Sequence, residues 1–304
     1  MRNIKRNSFR AWILASRPKT LTGAFIPVLL GSSLAFYDNS FNWGPALLCL
    51  LFAFLMQIAS NLINDYIDFM KGGDNDDRLG PKRACNEGWL SPRAIQTGIW
   101  IIIFLAIMTG LGLVYIDNWR LIYIGIFCIM FAFFYSAGPY PLSYHGGGDI
   151  SVLIFFGFVA VGGTYYVLSS SYSLSVAIIS LISGLIIDSM LIINNFRDRT
   201  GDKESGKKTT IVIFGKKFGI YAYLFTGTFS VLLASSLFLY YAMIMKDSIK
   251  YISAILPFIY LFLHIVTWKK MIKIDHGREL NIIFGETSRN MLVMGVLISI
   301  GLIL

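Results

Sequence analysis

Two stretches of this chain collect oxygen ligands at spacings that a helix would bring to one face. The first is Asn61-Leu-Ile-Asn64-Asp65-Tyr-Ile-Asp68, running on into Asp74, Asp76 and Asp77. The second is Asn194-Asn195-Phe-Arg197-Asp198-Arg-Thr-Gly-Asp202, running on into Gly206-Lys207-Lys208-Thr209. In a helix Asn61, Asp65 and Asp68 share a face, and so do Asn194, Asp198 and Asp202. Carboxylates stacked a turn apart repel one another, so a cation is expected between them. Hard oxygen ligands with basic side chains just downstream suit Mg2+ bridging to a phosphate-bearing substrate. The bland alternative is a helix end wetted at a membrane surface. It explains one such stretch more readily than two of the same design.

Each stretch closes a long apolar run, and composition says what those runs are. Of 304 residues, 56% are hydrophobic and only 14% charged, where a soluble protein carries about a quarter. Windows of about 18 residues or more without charge mark membrane-spanning helices. A barrel would need apolar and polar residues in alternation, and these runs are continuous. The chain is therefore read as an all-α polytopic membrane protein with spans near 20–37, 44–63, 94–116, 120–137, 150–169, 174–194, 219–243, 250–268 and 288–304. The first span is interrupted upstream by Arg17 and Lys19 and lacks a small-residue cleavage site, so it is expected to be retained and not a secretory signal.

Charge placement orients these spans. With the N-terminus inside, Arg120, Lys246 and Lys250 are the only basic residues on the outer side; the other 23 of 26 fall inside. This positive-inside bias puts both aspartate stretches at the cytoplasmic face and the C-terminus outside. The net charge of +9 thus reports topology and not nucleic-acid binding. Residues 1–19 are expected to lie along the interface, and 65–93 and 196–218 to be cytoplasmic loops of a single domain covering 1–304. The first loop is long enough to cap a bound substrate, with Cys85 inside it between Arg83 and Glu87. Cys49, Cys85 and Cys128 form neither a disulfide framework nor a zinc pattern.

Other signals are weaker. Gly201 to Lys208 approaches a phosphate-binding P-loop but ends in lysine and follows an apolar helix instead of a strand, so an NTPase is rejected. Gly146-Gly147-Gly148 more simply reverses the chain, and Asp149 could cap the next helix. Asp188 stands inside an apolar run, where a carboxylate is costly and either functional or a hydrogen-bonded structural residue. An ion-coupled transporter would place its acids at mid-bilayer, and only Asp188 lies there. The acid-and-arginine helix motif of a lipid phosphotransferase is not present.

With these residues in hand, the chain resembles the UbiA superfamily of intramembrane aromatic prenyltransferases. Within it, the likeness is to the menaquinone-synthesis branch. It is carried by Arg17-Pro-Lys-Thr-Leu21, Asn61 to Asp68, Gly72-Gly-Asp74, Arg78-Leu-Gly-Pro81, Gly147-Gly-Asp149, Phe155-Phe-Gly157, Gly163-Thr-Tyr-Tyr166 and Asn194 through Thr209. Gly72 replaces the third carboxylate of the general pattern, and the acid stands two residues on at Asp74, as that branch has it.

The resemblance implies about nine helices around a central cavity with a cytoplasmic cap. It implies Mg2+-dependent transfer of a polyprenyl group from polyprenyl diphosphate to 1,4-dihydroxy-2-naphthoate, with loss of CO2, giving demethylmenaquinol in the bacterial cytoplasmic membrane. Asp65, Asp68, Asp198 and Asp202 are the expected catalytic aspartates, joined by Asp74 as metal ligands. Asn61, Asn64, Lys82, Arg83, Tyr135, Asn194, Arg197 and Lys207 are the candidates for holding substrate, with Arg197 and Lys207 expected on the diphosphate. The oligomeric state and the prenyl chain length are not legible.

Overall fold

The computed structural model describes residues 4–72 and 79–304. Its helices are α1 (Phe9–Ala15), α2 (Pro18–Tyr37), α3 (Trp43–Met70), α4 (Pro92–Ile116), α5 (Leu121–Phe134), α6 (Gly148–Val152), α7 (Gly163–Ser169), α8 (Leu174–Glu204), α9 (Thr210–Phe214), α10 (Lys216–Met245), α11 (Ser248–Ile255), α12 (Pro257–Ile274) and α13 (Leu280–Ile303). A π-helix, Leu153–Gly162, joins α6 to α7 into one segment. Among the described residues, eight segments are long and apolar enough to span a bilayer, and α5 is a ninth, shorter one. These coincide with the nine expected spans.

Local signals explain the starts. Asn42, Ser91, Ser173 and Thr209 each accept a backbone N–H of the first turn they precede, which satisfies a donor the helix cannot. Pro18, Pro92 and Pro257 open helices at the position where a missing N–H costs nothing. Pro257 also separates α11 from α12.

Two helices run further than expected. α3 continues to Met70 and α8 to Glu204, so both aspartate stretches are helical. Basic partners relieve the repulsion that would otherwise fray them: Arg83 pairs with Asp68, Arg197 with Asp198 and Lys207 with Asp202.

The centre of the bundle is α8, 78% of whose apolar window is buried. It packs against the π-helix, α10, α13 and α2. Small residues permit the closest of these approaches. A Cβ on Gly157 would lie 2.5 Å from the Ser180 carbonyl oxygen, and one on Gly184 would lie 2.9 Å from the Leu153 Cα. On the other side α3 packs on α4, α2 and α5, while α5 meets the π-helix through Phe127 and Phe131 stacked on Phe155.

A cap closes one end. The N-terminal segment and the loop before α4 are tied together: Asn7 N–H donates to the Trp89 carbonyl at 2.7 Å, and Ser91 N–H to Asn7 Oδ1 at 3.1 Å. Ala11, Ala15, Ala84, Cys85 and Leu90 share one apolar cluster with Ala59, Leu62 and Ile63 of α3. The opposite face of α1 exposes Phe9, Ile13 and Leu14, as an interfacial helix should. Cys85 differs from the expectation of an open loop: it is buried in that cluster, and burial pushes its thiol up to about 12.

Candidate active site

A cavity of about 1230 Å³ runs from the cap to the start of α5. Its far limb is apolar, lined by Phe52, Ala53, Val114, Leu121, Gly125 and Phe156 among others. Its cap end is polar, because the last turns of α3 and α8 meet there. Asp68, Asp198 and Asp202 all line it, with Asn61, Asn64, Asn194, Lys82, Arg83, Tyr135 and Lys207. Ten sequence candidates, from positions far apart in the chain, thus share one chamber.

From α3, Asp68 reaches the Arg83 guanidinium of the cap loop and accepts the Tyr144 hydroxyl at 3.2 Å. Arg83 also donates to Asn64 Oδ1 at 3.2 Å. Tyr144 is held between two lysines, Lys71 and Lys207, whose ammonium groups lie 4.6 and 4.8 Å from its ring centroid. Burial first, and the Asp68 carboxylate next, push the Tyr144 hydroxyl up. It therefore stays protonated and donates to Asp68. Lys207 lies 3.8 Å from Asp202, so it links the two stretches.

From α8, Asp198 is clamped by its neighbour. Arg197 donates Nε to Oδ1 at 2.8 Å and Nη2 to Oδ2 at 2.6 Å. The same guanidinium reaches Asn194 Oδ1 at 2.7 Å and Asn281 Oδ1 at 3.0 Å. Asn281 in turn donates to the Leu79 carbonyl at 2.8 Å, which ties α13 to the cap loop.

Three candidates stand elsewhere than expected. Arg197 is 2% exposed and does not belong to the cavity lining; its fork is spent on side chains behind Asp198. Asp65 is 1% exposed and also absent from the lining; its Oδ2 accepts the Ala84 N–H at 2.9 Å. Asn61 lines the wall but uses its amide on the Ser16 carbonyl and Thr20 Oγ1, at 3.0 and 2.9 Å, fixing the start of α2. Asp74 lies outside the described residues.

Tyr144 and Asn281 were missed in the sequence. Tyr144 had a faint signal, since residues 136–149 hold no lysine or arginine. Asn281 had none, since its partners are supplied by α8 and the cap.

The oxygen donors of Asp68, Asp198, Asp202, Asn64 and Asn194 at the cap end are hard ligands that fit Mg2+. Among the described residues, no three His, Cys, Asp or Glu side chains converge closely enough to hold a metal alone. Mg2+ needs no such cluster: it takes one or two carboxylates and completes its shell with water and substrate phosphates. Two groups of carboxylates, Asp68 from α3 and Asp198 and Asp202 from α8, face a shared chamber, each attended by a basic side chain.

Residues 24–277 match the UbiA prenyltransferase family. The chain is 37% identical over 214 residues to a 1,4-dihydroxy-2-naphthoate octaprenyltransferase of Haemophilus influenzae, covering 68% of this chain and 70% of that one. It is 37% identical over 213 residues to the Escherichia coli protein of the same name, covering 68% and 69%. Its fold is similar to a UbiA homolog from Archaeoglobus fulgidus bound to GPP and Mg2+, with a TM-score of 0.66, 16% identity, and coverage of 95% of this chain and 99% of that one.

Proposed function

This chain belongs to the UbiA prenyltransferase family, and on that premise we propose that it transfers a polyprenyl group from polyprenyl diphosphate to 1,4-dihydroxy-2-naphthoate. The observation that carries the reading is the meeting of Asp68, Asp198 and Asp202 with Lys82, Arg83 and Lys207 at the mouth of a long apolar limb. One end suits a metal diphosphate and the other a hydrocarbon chain. The names of the relatives supply the acceptor.

Asp68, Asp198 and Asp202 would hold Mg2+, with Asn64 and Asn194 as neutral oxygen donors beside them. Held there, Mg2+ would supply positive charge for the leaving diphosphate. Arg197 does not touch the substrate in this reading; it holds both oxygens of Asp198 in place. Arg83 and Lys207 now sit on Asp68 and Asp202. They are the cations placed to turn to the diphosphate when it arrives. Phe155, Phe156 and the rest of the apolar wall keep water from the allylic centre. The ring carbon bearing the carboxylate then forms the new bond, and CO2 leaves, giving demethylmenaquinol.

With 23 of 26 basic residues on the side of the aspartates, this chamber faces the cytoplasm, with the N-terminus inside and the C-terminus outside the bacterial cytoplasmic membrane. Purified protein in liposomes, given the naphthoate and a polyprenyl diphosphate, tests the proposal. A prenylated naphthol and CO2 should form with Mg2+ and not with chelator. Absence of product with Mg2+ present, or equal product without it, overturns the reading.

A further inference from the structure

The short turn Leu142–Tyr144 carries a side chain that reaches both aspartate stretches and has no role in the reaction above. Its backbone is pinned on two sides. Ser143 donates its N–H and its Oγ to the Tyr135 carbonyl at 3.0 and 2.7 Å, and the Tyr144 carbonyl accepts the Lys208 N–H at 2.8 Å. Gly146 permits the second approach. It sits at φ +76°, and a Cβ there would lie 3.3 Å from the Lys208 carbonyl oxygen. The Tyr144 side chain is thereby presented to the cavity that it lines.

Three contacts define what this side chain can do. Its hydroxyl donates to Asp68 Oδ1 at 3.2 Å, while Arg83 takes Asp68 Oδ2. Its ring centroid lies 4.8 Å from the Lys207 ammonium, which is itself 3.8 Å from Asp202 Oδ1. The same ring meets the Lys71 ammonium, just past the end of α3, at 4.6 Å, and Lys71 also donates to the Ser136 carbonyl at 3.2 Å. Filling space at this turn asks only for bulk. It needs neither a hydroxyl donor nor the negative face of an aromatic ring. The hydroxyl also differs from its charged neighbours: a neutral donor gains far less from an arriving diphosphate than a guanidinium or an ammonium does.

We propose that Tyr144 is a positioning residue for the transfer reaction, holding Asp68 and Lys207 in register as the donor binds. This rests on the reading above, in which Arg83 and Lys207 turn to the diphosphate. When Arg83 leaves Asp68, the Tyr144 hydroxyl stays on Oδ1, so the carboxylate keeps its place and Oδ2 is left for Mg2+. When Lys207 leaves Asp202, the ring keeps its ammonium close, so the cation reaches the diphosphate without swinging free. The hydroxyl thus serves the metal and the ring serves the donor. Substitution can separate the two.

The test measures equilibrium binding of Mg2+ and geranyl diphosphate by calorimetry, without naphthoate. Tyr144→Phe keeps the ring and loses the hydroxyl. Its Mg2+ affinity at saturating donor should fall about tenfold, with donor affinity at saturating Mg2+ within about twofold of wild type. Tyr144→Leu loses both features, and its donor affinity should fall about fivefold as well. Adding Tyr144→Leu to Lys207→Ala should weaken donor binding no further than Lys207→Ala alone, because the two act through one contact. Unchanged Mg2+ affinity in Tyr144→Phe, or fully additive losses in the double variant, overturns the proposal. If Tyr144→Leu does not fold, the Mg2+ affinity of Tyr144→Phe decides alone. A wild-type protein that binds no geranyl diphosphate, or binds it equally without Mg2+, overturns the reaction instead.

Discussion

The Oδ2 of Asp65 accepts the backbone N–H of Ala84 at 2.9 Å, while Asp68, a turn further along α3, faces the cavity. One carboxylate of the first stretch therefore anchors the cap and the other meets the substrate. Asp68→Ala is expected to lower turnover about a hundredfold or more, on the order of 3 kcal/mol of transition-state stabilisation. Asp65→Asn keeps an acceptor for Ala84 and should stay within about tenfold of wild type. Asp65→Ala strands a buried N–H and should cost about 1–3 kcal/mol of stability. Initial rates and thermal unfolding in detergent separate these outcomes. Asp65→Asn as inactive as Asp68→Ala would make Asp65 a ligand.

Arg197 carries a second prediction. Lysine cannot reproduce a two-pronged clamp, so Arg197→Lys and Arg197→Ala should both loosen Asp198. The apparent affinity for Mg2+ should fall about tenfold or more, while KM for the naphthoate holds. Magnesium titrations of the transfer rate measure this. A change confined to the naphthoate would place Arg197 in the acceptor pocket.

Sidedness can be read with cysteines. Cys85 is a poor reporter, because it is buried and its thiol is raised to about 12. Its reactive thiolate stays scarce at neutral pH and returns only as pH climbs toward that value or the cap opens. Ser205 and Ser171 are exposed at opposite ends of α8. In a variant lacking native cysteines, a membrane-impermeant maleimide should label Ser205→Cys in inside-out vesicles and Ser171→Cys in right-side-out ones. The reverse pattern would invert the topology.

Gly125 of α5 lines the cavity, and a Cβ there would meet nothing within 4 Å. Gly125→Phe should therefore fold normally and fill the far limb. Turnover should fall more for long prenyl diphosphates than for geranyl diphosphate, by about tenfold or more in kcat/KM. An equal fall for both would show that the chain does not enter that limb.

The nine spans were legible because hydropathy along a chain reports membrane burial directly, whereas the sharing of one chamber by Asp68, Asp198 and Asp202 was implied only by the family resemblance, since spacing within one helix says nothing of a second. What escaped depends on distant partners. Asp65 turns from the cavity because Ala84 offers an N–H, and Arg197 is withdrawn because Asn281 waits behind it. The ends of α3 and α8 were placed too early, since their acids look unfavourable until Arg83, Arg197 and Lys207 are added. Nothing in Leu153–Gly162 announces a π-helix, which packs on α8 through Gly157 against Ser180 and through Leu153 against Gly184. The burial of Cys85 comes from α1 folding over the cap loop, a contact between segments some 80 residues apart.

At 14 residues, α5 is about 21 Å long, well short of a hydrocarbon layer of about 30 Å. A span this short is matched by a bilayer that thins beside it, and on it Ile122, Ile124 and Ile126 are exposed and also line the cavity. The proposed prenyl donor, itself a lipid, would meet such a thinned patch while drifting in the plane of the leaflet. It reaches the aspartates by sideways diffusion in two dimensions, so turnover should follow its mole fraction in the bilayer and not its concentration in bulk water.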